Sequence, residues 1–179
     1  MKKTIINPVI KDQVTFTQTA EETGGRITSL LVKLMPGGGT PMHYHKNFSE
    51  TFAVMEGTLT LTTKKSRFTL SSGQKFTVEK EVTHRFSNES NAPVIFTTVI
   101  LPGSTGFENA LRILYGLAED GATNKKGVPK SLQTLAVIST MSDMHAAGAG
   151  ALFTPLFGLL NSIARMNGLE KKLLSRYCI

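Results

Sequence analysis

The stretch HYHKNFSE, His43 to Glu50, sets two histidines two residues apart and a carboxylate five residues beyond the second. On a strand, residues two apart share a face, so His43 and His45 project together while Met42 and Tyr44 point away. Glu50 lies past a short turn, KNFS, and opens the next strand, from which it can come back beside the pair. Another imidazole, His84, sits in EVTHRFSN on a later strand. Three imidazoles and one carboxylate suit a borderline divalent transition metal: Fe, Mn, Ni, Cu or Zn. Such a set leaves one or two coordination positions open, the mark of a catalytic rather than a structural ion. The plainer alternative for any one of these histidines is loop capping or a place in a polar cleft. His145 falls in the helical part, and Asp143 and His145 in SDMHAAG read as a helix-end polar cluster outside the site.

The elements that must position these residues change in character along the chain. From Val14 to about Leu101 the sequence alternates short runs rich in Val, Ile, Thr and Phe with turn residues. VTFTQTA, RITSLLVKL, ETFAVMEGTLTLTT, RFTLSSGQKFTVE, THRFSN and PVIFTTVIL are the expected strands. Gly57 and Gly73 mark turns that call for positive φ. This spacing predicts an antiparallel sandwich or barrel. After LPGSTG the period shifts. Thr105 and Glu108 read as a capping box, followed by Phe107, Ala110, Leu111, Leu114 and Ala118 on one helical face. PKSLQTLAVISTMSDM and TPLFGLLNSIARM are the next expected helices, each with Pro near its start. A β domain over 1–103 followed by a helical C-terminal extension over 104–179 is the expected organisation.

The longer pattern around the histidines resembles the cupin family. Gly37, His43, His45, Glu50 and Gly57 fall on the fixed positions of its first motif, and Gly73, His84 and Asn88 on those of its second. Glu79 stands where that motif usually has Pro, and Glu81 where it usually has Gly. Both belong to the turn ahead of the last ligand strand, so the departure concerns that turn. The resemblance covers residues 30 to 101. It implies a mainly β, antiparallel double-stranded β-helix (a jelly-roll barrel) with His43, His45, Glu50 and His84 converging on one metal.

Alternation carries the reading into the barrel. With Glu50 inward, Phe52 and Val54 should follow it; with His84 inward, so should Val82 and Phe86. Phe52, Val54 and Phe86 are the candidate substrate-cavity residues, although inward apolar side chains are also what any barrel core requires. No general base stands out, so activation by the metal itself is the economical chemistry.

Bulk properties narrow the partners. The net charge of +7 comes from scattered basic residues, in pairs such as Lys64–Lys65, Lys125–Lys126 and Lys171–Lys172. No stripe of them alternates with stacking aromatics, which argues against nucleic acid. The one cysteine, Cys178, can form no internal disulfide, and the apolar run at the start is broken by Asn7 and Pro8, too soon for a signal sequence. A cytoplasmic protein is expected. Ala146 to Ala164 holds no charged residue over 19 positions, but Pro155 and its glycines disfavour a spanning helix. Packing on the barrel or across a homodimer interface is favoured over membrane contact. The expected function is a metal-dependent oxygenase of the quercetin-dioxygenase-like type on a small organic substrate. The alternatives are a non-enzymatic metal or small-ligand sensor, or a cupin isomerase.

Overall fold

The computed structural model describes residues 2–147 and 154–178. Ten strands come first: β1 Thr4–Asn7, β2 Asp12–Gln18, β3 Thr28–Leu34, β4 His43–Tyr44, β5 Ser49–Glu56, β6 Thr58–Thr63, β7 Arg67–Ser71, β8 Lys75–Val78, β9 His84–Ser87 and β10 Val94–Leu101. The helices α1 Thr105–Glu119 and α2 Leu132–Met141 follow. After them come a two-residue strand, β11 His145–Ala146, and the helices α3 Thr154–Met166 and α4 Leu169–Tyr177. The strands form two facing antiparallel sheets, ordered β1-β2-β3-β10-β5-β8 and β11-β4-β9-β6-β7. This is the antiparallel barrel that the strand spacing predicts, in the jelly-roll form that the cupin resemblance implies.

The expected long strands break where the chain must reverse. Gly57 and Gly73, at φ 79° and 82°, divide β5 from β6 and β7 from β8. In β5 the buried residues are Glu50, Phe52 and Val54, each two apart, as a strand with one face inward requires. Phe52, Leu59, Leu61, Val94 and Phe96 fill the space between the sheets. Each such side chain contributes on the order of 2 kcal/mol through its removal from water.

Val82 departs from the expected inward set. It lies in the turn before β9, ahead of the alternation that buries His84, and is 38% exposed. The capping box also departs. Ser104, one residue earlier than Thr105, caps α1 by accepting from the Phe107 backbone N–H. That register leaves Glu108 beyond capping reach, and its carboxylate is drawn instead into the barrel wall. On α1, Phe107, Ala110 and Ala118 are buried as expected, joined by Ile113 and Leu117, while Leu111 and Leu114 are half-buried.

The helical segment is stitched to the barrel rather than hung from it. Phe107 and Tyr115 belong to the barrel core, while Ala110, Ile113, Val137, Ala164 and Leu173 form a second cluster among the helices. β11 pairs His145 with Tyr44 and Ala146 with His43, so the extension adds an edge strand beside a candidate ligand. β1, β11 and α4 were not apparent from composition. No helix among the described residues is long and apolar enough to cross a membrane. Within the uncharged stretch considered as a membrane anchor, residues 148–153 lie outside those described.

Candidate metal centre

His43 is the first residue of β4 and pairs across the ladder with His84, the first residue of β9. His45 follows β4 directly. Glu50 reaches the same point from β5, in the opposite sheet. All four side chains are buried, and one donor atom from each lies within 4.8 Å of the others. The cluster therefore bridges the two sheets at one end of the barrel.

Each imidazole is oriented by a backbone carbonyl. His43 Nδ1 lies 2.8 Å from the Pro41 oxygen, His84 Nδ1 2.9 Å from that of Val82, and His45 Nδ1 3.0 Å from that of Asp143. A carbonyl oxygen only accepts, so each Nδ1 carries the proton and donates it. In a neutral ring this leaves Nε2 with the lone pair, the arrangement that prepares a histidine to ligate. The Nε2 atoms of His84 and His45 lie 2.8 Å and 3.5 Å from Glu50 Oε2.

The electrostatics agree with a cation-seeking cluster. Burial would push the Glu50 carboxyl up, but the contacts from His45 and His84 outweigh it and hold the group below the usual carboxylate range. Burial, with His84 alongside, pushes His43 down to about 4, so its ring is neutral at physiological pH. Burial opposes charge on His84 as well, but its hydrogen bond to Glu50 prevails and raises it. With Nδ1 on the Val82 carbonyl, its Nε2 holds a second proton donated to Glu50, one that a cation would have to displace. His45 Nε2 is buried without a hydrogen-bond partner among the described residues. An orphaned imidazole nitrogen facing a carboxylate costs free energy unless something accepts its lone pair. The donor set thus fits a borderline divalent ion.

One of these supports lay outside the expected site. Asp143, set aside as part of a helix-end cluster, gives its carbonyl to His45, and its Oδ2 accepts from the Lys46 and Asn47 backbone N–H groups, each at 2.7 Å. It thereby fixes the turn between His45 and Glu50. His145 stays apart from the four candidate ligands, stacked on Tyr44 and bonded to Asp143 Oδ1.

A cavity of about 190 Å³ adjoins the cluster, with His43, His45 and Glu50 in its wall. The barrel contributes Val14, Leu30, Val32 and Phe86; the extension roofs it with Phe107, Leu111, Leu114, Leu135 and Ile138. Leu111 and Leu114 keep some exposure because they face this space. Of the three residues expected there, Phe86 lines the cavity. Phe52 and Val54 point inward but are packed within the core, where Phe52 meets Phe86 and Phe96. The Glu79–Glu81 turn is exposed, and Glu81 adopts φ 64°, the conformation a glycine would take without strain.

Comparison with known proteins agrees with this architecture. Residues 30–100 match the family model described as a cupin domain. No curated protein matches the chain. Similar solved structures include a sugar phosphate isomerase from a cupin superfamily of Silicibacter pomeroyi, at 24% identity and a TM-score of 0.47. The match covers 52% of this chain and 60% of that one, so the chain spans well under two thirds of that protein's length. Another is a predicted oxalate decarboxylase from Thermotoga maritima, at 17% identity and a TM-score of 0.50, covering 55% of this chain and 93% of that one. At such identities the likeness is one of fold. Residues 30–100 thus form a domain that matches the cupin model, on a barrel whose fold is shared with such structures.

Proposed function

We propose that this protein is a metal-dependent enzyme acting on a small organic molecule held between the barrel and its helical roof, with oxygenation as the leading reaction. One observation carries the reading: three carbonyl-oriented imidazoles and a carboxylate converge, buried, and three of the four, His43, His45 and Glu50, stand in the wall of an apolar cavity. A divalent ion held by His43, His45, Glu50 and His84 would supply Lewis acidity or redox capacity toward a molecule at its open positions. The chain's own part is to orient those ligands, exclude bulk water with Phe107, Leu111 and Leu114, and present an apolar surface to the substrate. Cytoplasmic residence and a homodimer belong to the same reading. The exposed apolar face of α3, with Leu156, Leu159 and Ile163, supports the latter.

Cavity volume narrows the substrate. An apolar cavity of roughly 150 Å³ takes one benzene ring, so small diketones fit this cavity better than three-ring flavonols. The test is elemental analysis of protein purified without a metal-binding tag, followed by oxygen uptake with small diketones and flavonols. Stoichiometric redox metal with diketone-dependent uptake is the expected result. Metal retained without oxygen uptake moves the reading to an isomerase or a non-enzymatic binder. His45→Ala is expected to abolish metal retention while the barrel stays folded by circular dichroism. Unchanged metal content would remove His45 from the ligand set.

A further inference from the structure

The same cavity has a second polar place in its wall. Asp12, at the start of β2, and Tyr115, on α1, both line it. The Tyr115 hydroxyl donates to Asp12 Oδ2, while Asp12 Oδ1, in a residue only 5% exposed, has no hydrogen-bond partner among the described residues. We propose that Asp12 and Tyr115 form a second polar anchor, taking a hydroxyl or ammonium group of a small, mostly apolar ligand whose other end faces His43, His45 and Glu50. The inference deepens the function proposed above and rests on it for the position of the ligand's other end.

A contrast on the same helix supports this. Glu108 also joins α1 to the barrel, but its Oε1 accepts from the Ala20 N–H and the Thr28 hydroxyl, and Oε2 lies 3.9 Å from Arg112 Nη1. Its Oε1 takes two hydrogen bonds, its Oε2 has the Arg112 guanidinium as a counter-charge, and the residue does not line the cavity. That is how a structural carboxylate is completed. Asp12 is left half-complete at the one wall where a ligand would lie. Burial, only partly offset by the Tyr115 hydrogen bond, pushes its carboxyl up to about 6, as befits a group waiting for a donor. The backbone aims it deliberately. Asn7 Oδ1 accepts from Val9 and Ile10 N–H, Lys11 takes φ 60°, and the turn delivers Ile10 and Asp12 to the cavity.

The test uses full-length protein, with and without added Zn²⁺, titrated by NMR with phenol, benzylamine and toluene. Wild type is expected to bind phenol or benzylamine roughly tenfold more tightly than toluene. Which of the two binds better identifies the anchored group as hydroxyl or ammonium. In Asp12→Leu/Tyr115→Phe the preference should vanish, and the double variant should melt about 3 °C higher, since an incomplete polar pair is replaced by apolar wall. Equal affinity for the three probes, no binding of any, or a double variant that melts below wild type would overturn the proposal. Preference for phenol or benzylamine in protein that retains no metal would keep the anchor and discard the metal reading.

Discussion

The barrel and its helical extension are held by different physics. Between the sheets, contact is apolar and repetitive: Phe52, Leu59, Leu61, Val94 and Phe96 interdigitate on strands whose register the ladders fix. Where the extension meets the barrel, the defining contacts are carboxylates. Glu108 reaches Ala20 and Thr28, Asp143 reaches Lys46 and Asn47, and Asp12 receives Tyr115. Apolar packing tolerates small slips, whereas a buried carboxylate with specified donors does not. The junction therefore sets the position of the cavity roof over the histidine cluster more strictly than burial alone could.

The sharpest way to break this contrast is Glu108→Leu. It leaves the Ala20 N–H and the Thr28 hydroxyl without their acceptor and the buried Arg112 guanidinium without its counter-charge. Removing one partner of such a buried charged set costs about 3–5 kcal/mol. Urea unfolding should register a loss of that size, and α1 amides should exchange faster than those of β5. A loss under about 1 kcal/mol, the range of ordinary surface substitutions, would mean that apolar packing holds the roof after all.

The next largest effect comes from the acidity of Asp12. Because burial raises Asp12 to about 6 from its ordinary 3.8, the folded protein binds a proton there that the unfolded chain does not between those values. Its charge therefore costs stability above about pH 6, and the cost disappears as pH falls toward 4. Asp12→Asn should exceed wild type by about 2–3 kcal/mol at neutral pH, with the gap closing on acidification. A gap that stays constant across that range would place the effect elsewhere.

Asp143 offers a smaller effect with a different readout. Asp143→Ala frees two N–H groups in the turn between His45 and Glu50, for about 1–2 kcal/mol, and should weaken metal binding roughly tenfold through the loosened His45. Asp143→Asn keeps an acceptor and tolerates the residue's φ of 52°, so it should retain most of both. Chelator competition would measure the difference. An alanine variant that holds metal as wild type does would detach the extension from the site.

The two regions also differed in how far they could be read in advance. His43, His45, Glu50 and His84 were legible because alternation and motif spacing are local, and the ladders preserve both. Alternation says which face a residue takes but not whether it meets a neighbour or a void. Phe52 and Val54 thus point inward yet lie in the core, while Phe86 reaches the cavity. Val82 failed because the strand had not yet begun. Junction residues were opaque for another reason. Glu108 meets Thr28 and Asp143 meets Lys46 across long stretches of chain, and no local period announces such pairs.

Glu81 allows the smallest and cleanest measurement, within the barrel itself. The turn ahead of His84 needs a positive φ, and here a glutamate supplies it at 64° while its N–H donates to the His45 carbonyl at 2.7 Å. A side chain in that conformation costs about 1 kcal/mol, part of which glycine would return to the unfolded chain as entropy. Glu81→Gly should therefore stabilise by about 0.5 kcal/mol, whereas Glu81→Ala, which keeps the Cβ, should give nothing. If alanine stabilised as much as glycine, the glutamate side chain rather than the backbone would be the source. The turn's strain would then have no part in placing His84.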